Sequence, residues 1–75
     1  MNATLTDLAP RVVNIVRLID AEFDEMPGMR LTDAQVRRLW NTSHAECEQA
    51  LRHLCEAHRL VRDRGGRYFR QGYGY

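Results

Sequence analysis

Arg62, Arg64, Arg67 and Arg70 bracket the pair Gly65-Gly66, and the only acid among them is Asp63. A guanidinium is a planar, permanently charged fork of N–H donors that meets phosphate oxygens two at a time. Four of them around one tight turn give residues 60–75 a net charge of +3. Such a loop suits a phosphate backbone or a minor groove. A second set, Ser43, His44, Ala45, Glu48, Gln49 and Arg52, has the spacing of one helix face. There Gln49 suits adenine, and Arg52 suits guanine or phosphate. Thr32, Arg37 and Arg38 form a third set, suited to the backbone of the same duplex. Glu46, Glu48 and Glu56 oppose this chemistry, because carboxylates repel phosphate and read only cytosine amino groups.

These side chains need elements to hold them. Thr32-Asp33-Ala34-Gln35 and Ser43-His44-Ala45-Glu46 are capping boxes, which begin helices by pairing orphaned backbone N–H groups. They predict helices over 33–40 and 44–59, with Asn41 as the left-handed residue between them. Val36, Leu39 and Trp40 share a face of the first, which makes Trp40 a core anchor. The second turns Cys47, Ala50, Leu51, Leu54 and Ala57 inward, with Cys55 and His58 at the edges. Leu60–Arg64 and Arg67–Arg70 then flank Gly65-Gly66, the signal of a two-residue hairpin.

Upstream, Leu5, Leu8, Val12, Ile15, Val16, Ile19, Phe23 and Met26 fall in one stripe roughly 100° wide. They predict a helix over 5–25, capped by Thr4 or Thr6, with Pro10 tolerable only in its first turn. Met26-Pro27-Gly28-Met29 ends it with the signature of a type II turn. Met29-Arg30-Leu31 suits a short strand beside the later hairpin. Val13 and Leu18 fall off the stripe and read as scattered surface residues or a subunit contact. The chain thus divides into the first helix and turn (1–28), a second part (29–71) and a tail (72–75), all within one domain.

Seventy-five residues hold only a small core, near the lower limit of independent stability. Residues 1–25 carry a net −3 and residues 26–75 a net +4, and every basic residue is Arg. That count suits phosphate pairing, and a coding bias explains it equally well. No signal peptide or membrane-length apolar run is read, which makes a cytoplasmic location without membrane association the expectation. Cys47 and Cys55 are roughly 12 Å apart along one helix, too far for a disulfide, and read as reduced apolar residues. With His44 and His58 they mimic metal spacing, but the two pairs stand two turns apart and cannot close one tetrahedral site. No metal or cofactor is expected. No phosphate loop or activated nucleophile is present, so no enzyme is read.

Over about residues 29–71 the chain resembles the winged helix-turn-helix superfamily. The matching strings are Leu31-Thr32-Asp33-Ala34-Gln35-Val36, Glu48-Gln49-Ala50-Leu51-Arg52-His53-Leu54, Leu60-Val61-Arg62 and Gly66-Arg67-Tyr68. It departs at Asn41, where glycine is common, and in its acidic outer face. It also looks like small stand-alone bacterial proteins with an acidic first helix and a Met-Pro-Gly link. The resemblance implies a mostly helical α+β fold of three helices with a C-terminal two-stranded β-wing. It implies binding of double-stranded DNA through the third helix and the wing, as a small transcriptional regulator or accessory factor. The alternative is a protein-docking module, with a homodimer through helix one as a further expectation.

Overall fold

The structure, a computed structural model, describes residues 8–72. Pro10 decides where the first helix begins. A residue before proline is pushed towards extended backbone, and Ala9 is extended at φ −59°, ψ 146°. Helix α1 therefore runs Pro10–Glu25, with the proline in the first turn, where its missing N–H matters least. It starts later than position 5; Leu5, Thr4 and Thr6 lie outside the described residues. Val12, Ile15, Val16, Ile19 and Phe23 form its buried stripe. Met26 leaves that stripe as the C-cap and is 48% exposed. Met29 N–H closes the following turn on Met26 O at 2.9 Å. Gly28 lacks the positive φ that a type II turn demands, so the expected turn type is not adopted.

Strand β1 (Leu31–Thr32) leads directly into α2 (Asp33–Trp40), and both capping boxes are present. Thr32 Oγ1 accepts from Gln35 N–H at 3.2 Å, and Gln35 Oε1 accepts from Thr32 N–H at 2.8 Å. Asn41 takes the left-handed conformation at φ 51°, ψ 52°, as its position between the helices requires. Helix α3 runs His44–Glu56, three residues short of the expected end. Its C-terminus is a Schellman closure: Arg59 N–H reaches Leu54 O at 2.8 Å, and His58 N–H reaches Cys55 O at 3.1 Å. His58 sits at φ 60° to make this reversal, which brings Leu60 into the core.

Strands β2 (Leu60–Arg62) and β3 (Arg67–Arg70) pair antiparallel, with Leu60 opposite Arg70, Val61 opposite Phe69 and Arg62 opposite Tyr68. β1 pairs with the other edge of β3, placing Leu31 opposite Tyr68. The sheet thus has three strands in the order β1-β3-β2, one more than a two-stranded wing. Helix α1 packs chiefly on α3, and Ile19, Phe23, Val36, Cys47 and Ala50 are fully buried between the elements. Trp40 packs half-buried against this core, but Leu39 is 62% exposed. Three apolar residues on an eight-residue helix make a stripe wider than its neighbours can cover. Ala57 and His58, expected at the inward face, are exposed because the helix has already ended. Three helices and a small antiparallel sheet in this order are compatible with a winged helix.

Candidate nucleic-acid interface

Asp63 shapes the wing. Its Oδ1 accepts from Gly65 N–H at 2.8 Å and Arg67 N–H at 3.0 Å, and its backbone N–H donates to Arg67 O at 2.9 Å. Gly66 N–H closes on Asp63 O at 3.1 Å, and Gly66 is left-handed at φ 82°. Gly65 is not left-handed, which rules out the expected two-residue turn, since that needs a positive φ at Gly65. The loop is instead a β-turn over Asp63–Gly66 whose last residue is the left-handed glycine, the pattern of a three-residue hairpin. Asp63 Oδ2 also accepts from Arg30 Nη1 at 3.0 Å. The Arg67 N–H, with Gly65 N–H and Arg30, holds the carboxyl below its ordinary range despite the opposing effect of desolvation.

The one acid of the wing is therefore engaged within the turn. Arg62, Arg64 and Arg67 are exposed, and among the described residues they form no ion pair. Arg62 Nη2 lies 3.5 Å from where a Cβ on Gly66 would stand, so this side chain runs along the hairpin to its tip. Arg70 is different. Only 7% of it is exposed, and its guanidinium turns inward against α1. Nη1 donates to Asp20 Oδ1 and to Arg59 O, both at 2.9 Å, and Nη2 donates to Asp20 O at 2.5 Å. Nη2 also lies 3.1 Å from Asp24 Oδ1. Arg59 pairs with the same two acids. Burial pushes the Asp20 carboxyl up, but the hydrogen bonds and charges of Arg59 and Arg70 outweigh it and hold the carboxyl below its ordinary range. Arg70 therefore stands apart from the solvent-facing arginines of the wing.

On α3, Ala45, Glu48, Gln49 and Arg52 are all exposed, so the spacing argument places them correctly on one outward face. Arg52 Nη2 meets Glu48 Oε1 at 2.5 Å, one turn away. His44 stands between two acids, with Nδ1 3.8 Å from Asp33 and Nε2 3.5 Å from Glu48. Ser43 Oγ accepts from Glu46 N–H at 3.1 Å and serves as the cap. Glu46 also pairs with Arg11. Exposed pairs of this kind are worth about 0–1 kcal/mol, so a phosphate can displace Glu48 from Arg52. On α2, Arg37 pairs with Asp33 at 3.3 Å, and Thr32 is occupied as a cap. Arg38 is exposed beyond Leu39 and pairs with no described residue.

Cys47 is chemically quiet. Burial, aided by the neighbouring Asp33, pushes its thiol up to about 12. Its Sγ donates to Asp33 Oδ1 at 3.1 Å, a contact that links the starts of α2 and α3. Arg30 is a neighbour of the wing that spacing did not single out. Its guanidinium lies 4.4 Å from the Phe69 ring centre and joins the chain ahead of β1 to the wing. Only the pairing of β1 with β3 brings it there.

No protein-family model, curated protein or solved structure matches this chain. Among the described residues, no helix is long and apolar enough to cross a membrane.

Proposed function

We propose that this domain is a winged helix that binds double-stranded DNA as a small regulator or accessory factor. The wing arginines Arg62, Arg64 and Arg67 engage phosphates, and α3 presents Ala45, Gln49 and Arg52 to the major groove. One observation carries this reading. Arg11, Arg30, Arg37, Arg52, Arg59 and Arg70 each have an acidic partner, whereas three of the five arginines with no ion pair among the described residues, Arg62, Arg64 and Arg67, stand together at the wing. The domain keeps unneutralised basic charge on the wing.

A duplex titration at two salt concentrations tests it. Arg64→Ala or Arg67→Ala should weaken binding to all duplexes alike, and each should lower the salt slope by about one unit per lost phosphate contact. Gln49→Ala should instead erode discrimination between sequences, because only base-edge contacts carry that information. A wild-type protein that binds no duplex at low salt, where attraction is least screened, overturns the proposal. Protein docking then replaces it.

A further inference from the structure

Two of the three large apolar side chains exposed among the described residues border a single groove. An open groove of about 270 Å³ lies between the end of α1 and the end of α2, lined by Glu22, Met26, Met29, Leu39 and Trp40. Leu18, Met26 and Leu39 are the large apolar side chains that stand out to solvent among the described residues, at 47%, 48% and 62% exposure. Two of them line the groove. The third, Leu18, is one turn from Glu22 on the same side of α1. Scattered exposed apolar residues need no explanation, but a cluster around a groove does.

The charges around this cluster say what would cover it. At about 100° per residue, Leu18 and then Glu25 follow Glu22 around α1, moving away from the core. On α2, Arg38 lies a further step of about 100° beyond Leu39, on the side away from the groove. The face therefore reads acid, apolar centre, base. Glu22, Glu25 and Arg38 have no ion-pair partner among the described residues. Such an arrangement is its own complement. A two-fold axis through the groove lays the Glu22–Glu25 border of one copy over the Arg38 border of the other, twice, with the apolar side chains between.

The geometry points to a symmetric homodimer, formed when this face of α1 and α2 docks on the same face of a second copy. The centre of the contact is Leu39 and Met26, and Arg38 with Glu22 and Glu25 sets its orientation. A domain with so small a core gains cover for its remaining apolar surface in this way. The contact uses none of the wing arginines and does not depend on DNA binding.

Sedimentation equilibrium of the full chain without DNA, from micromolar to sub-millimolar concentration, tests the dimer. The wild type should show a reversible monomer–dimer equilibrium, and Leu39→Asp should weaken it by at least about tenfold. Arg38→Glu should weaken self-association, as should the double variant Glu22→Arg, Glu25→Arg. An equimolar mixture of these two charge variants should restore association, because both borders are again opposite in sign. Leu39, Arg38 and Glu25 are exposed and Glu22 is half-buried, and a native-like circular-dichroism spectrum shows that each variant folds. A wild type that stays monomeric throughout overturns the inference. So does undiminished association of Leu39→Asp, or a charge-swapped mixture that fails to associate.

Discussion

Replacing Arg70 with Met tests whether this arginine belongs to the interior rather than to the wing surface. The guanidinium holds two backbone carbonyls, Asp20 O and Arg59 O, and contributes to the charge that balances Asp20 and Asp24. Losing each of these charge-assisted hydrogen bonds costs about 1 kcal/mol, a low figure because Arg59 O keeps the Gln71 N–H at 3.2 Å and Asp20 O lies within α1. Breaking a buried ion pair outright costs about 3–5 kcal/mol, but Asp20 keeps Arg59, so the ionic part falls well short of that. The total is about 3 kcal/mol. In a domain of this size, each kcal/mol moves the thermal midpoint by roughly 4–8 °C, so Arg70→Met should lower it by about 12–24 °C. Arg64→Ala, a solvent-facing change, should stay within about 0.5 kcal/mol of wild type. Calorimetry or circular-dichroism melts at neutral pH read both. An Arg70→Met midpoint as close to wild type as that of Arg64→Ala would refute the account of the α1–β3 tie.

Asp20 and Asp63 have folded-state pKa values below the ordinary range, so the stability they contribute is present above the unfolded carboxylate value and disappears as pH falls through the folded one. The melting temperature should hold from neutral pH to about 5 and fall below about 4, near the unfolded carboxylate pKa. The Asp20→Asn variant should be less stable at neutral pH and lose less on acidification; an equal acid loss in both proteins would exclude Asp20 as a contributor. His58 occupies a left-handed position at φ 60°. His58→Gly should therefore stabilise the domain by about 1 kcal/mol, because the Cβ penalty of that conformation disappears. A melt showing destabilisation would mean that the His58 side chain supplies something glycine cannot.

The parts of this fold that are readable in the sequence are those decided within a few residues. Each capping box is a reciprocal pair of hydrogen bonds across three positions, so the starts of α2 and α3 are written in Thr32–Gln35 and Ser43–Glu46. The α1 stripe is readable for the same reason, and its start is not, because the apolar period continues through a proline that the backbone cannot absorb. The end of α3 depends on Leu60 reaching the core, a tertiary demand that forces His58 left-handed. The wing turn is not legible in this way, because Gly65-Gly66 is a strong two-residue signal while the decisive group is the Asp63 carboxylate, which accepts from the Gly65 and Arg67 backbone N–H groups.

Arg70 shows how far a candidate site can be read from charge spacing. In sequence it is one of four equivalent wing arginines; in the fold, β3 places it opposite Leu60, at the end of the strand that meets α1. Its partners Asp20 and Asp24 lie one helical turn apart, a placement that could have marked them as a receiver for a distant cation, but not for which one.

The net charge of +1 conceals a division of labour. Asp20 and Asp24 take up Arg59 and Arg70 to bind α1 to the rest of the domain, and Asp63 is bound inside the wing turn. Among the described groups left without an ion-pair partner, Arg62, Arg64 and Arg67 are gathered at the wing, and Glu22, Glu25 and Arg38 border the Leu39 groove. In the symmetric dimer each Arg38 is covered by Glu22 and Glu25 of the second copy, leaving the wings as the principal outward positive charge. Self-association and DNA binding would then both weaken with salt, but through different residues. Arg38→Glu should weaken the first and leave the phosphate contacts of each wing in place, whereas Arg64→Ala should weaken the second and leave self-association unchanged. Measuring both variants in both assays separates a domain that merely carries many arginines from one that uses each group of them for a different contact.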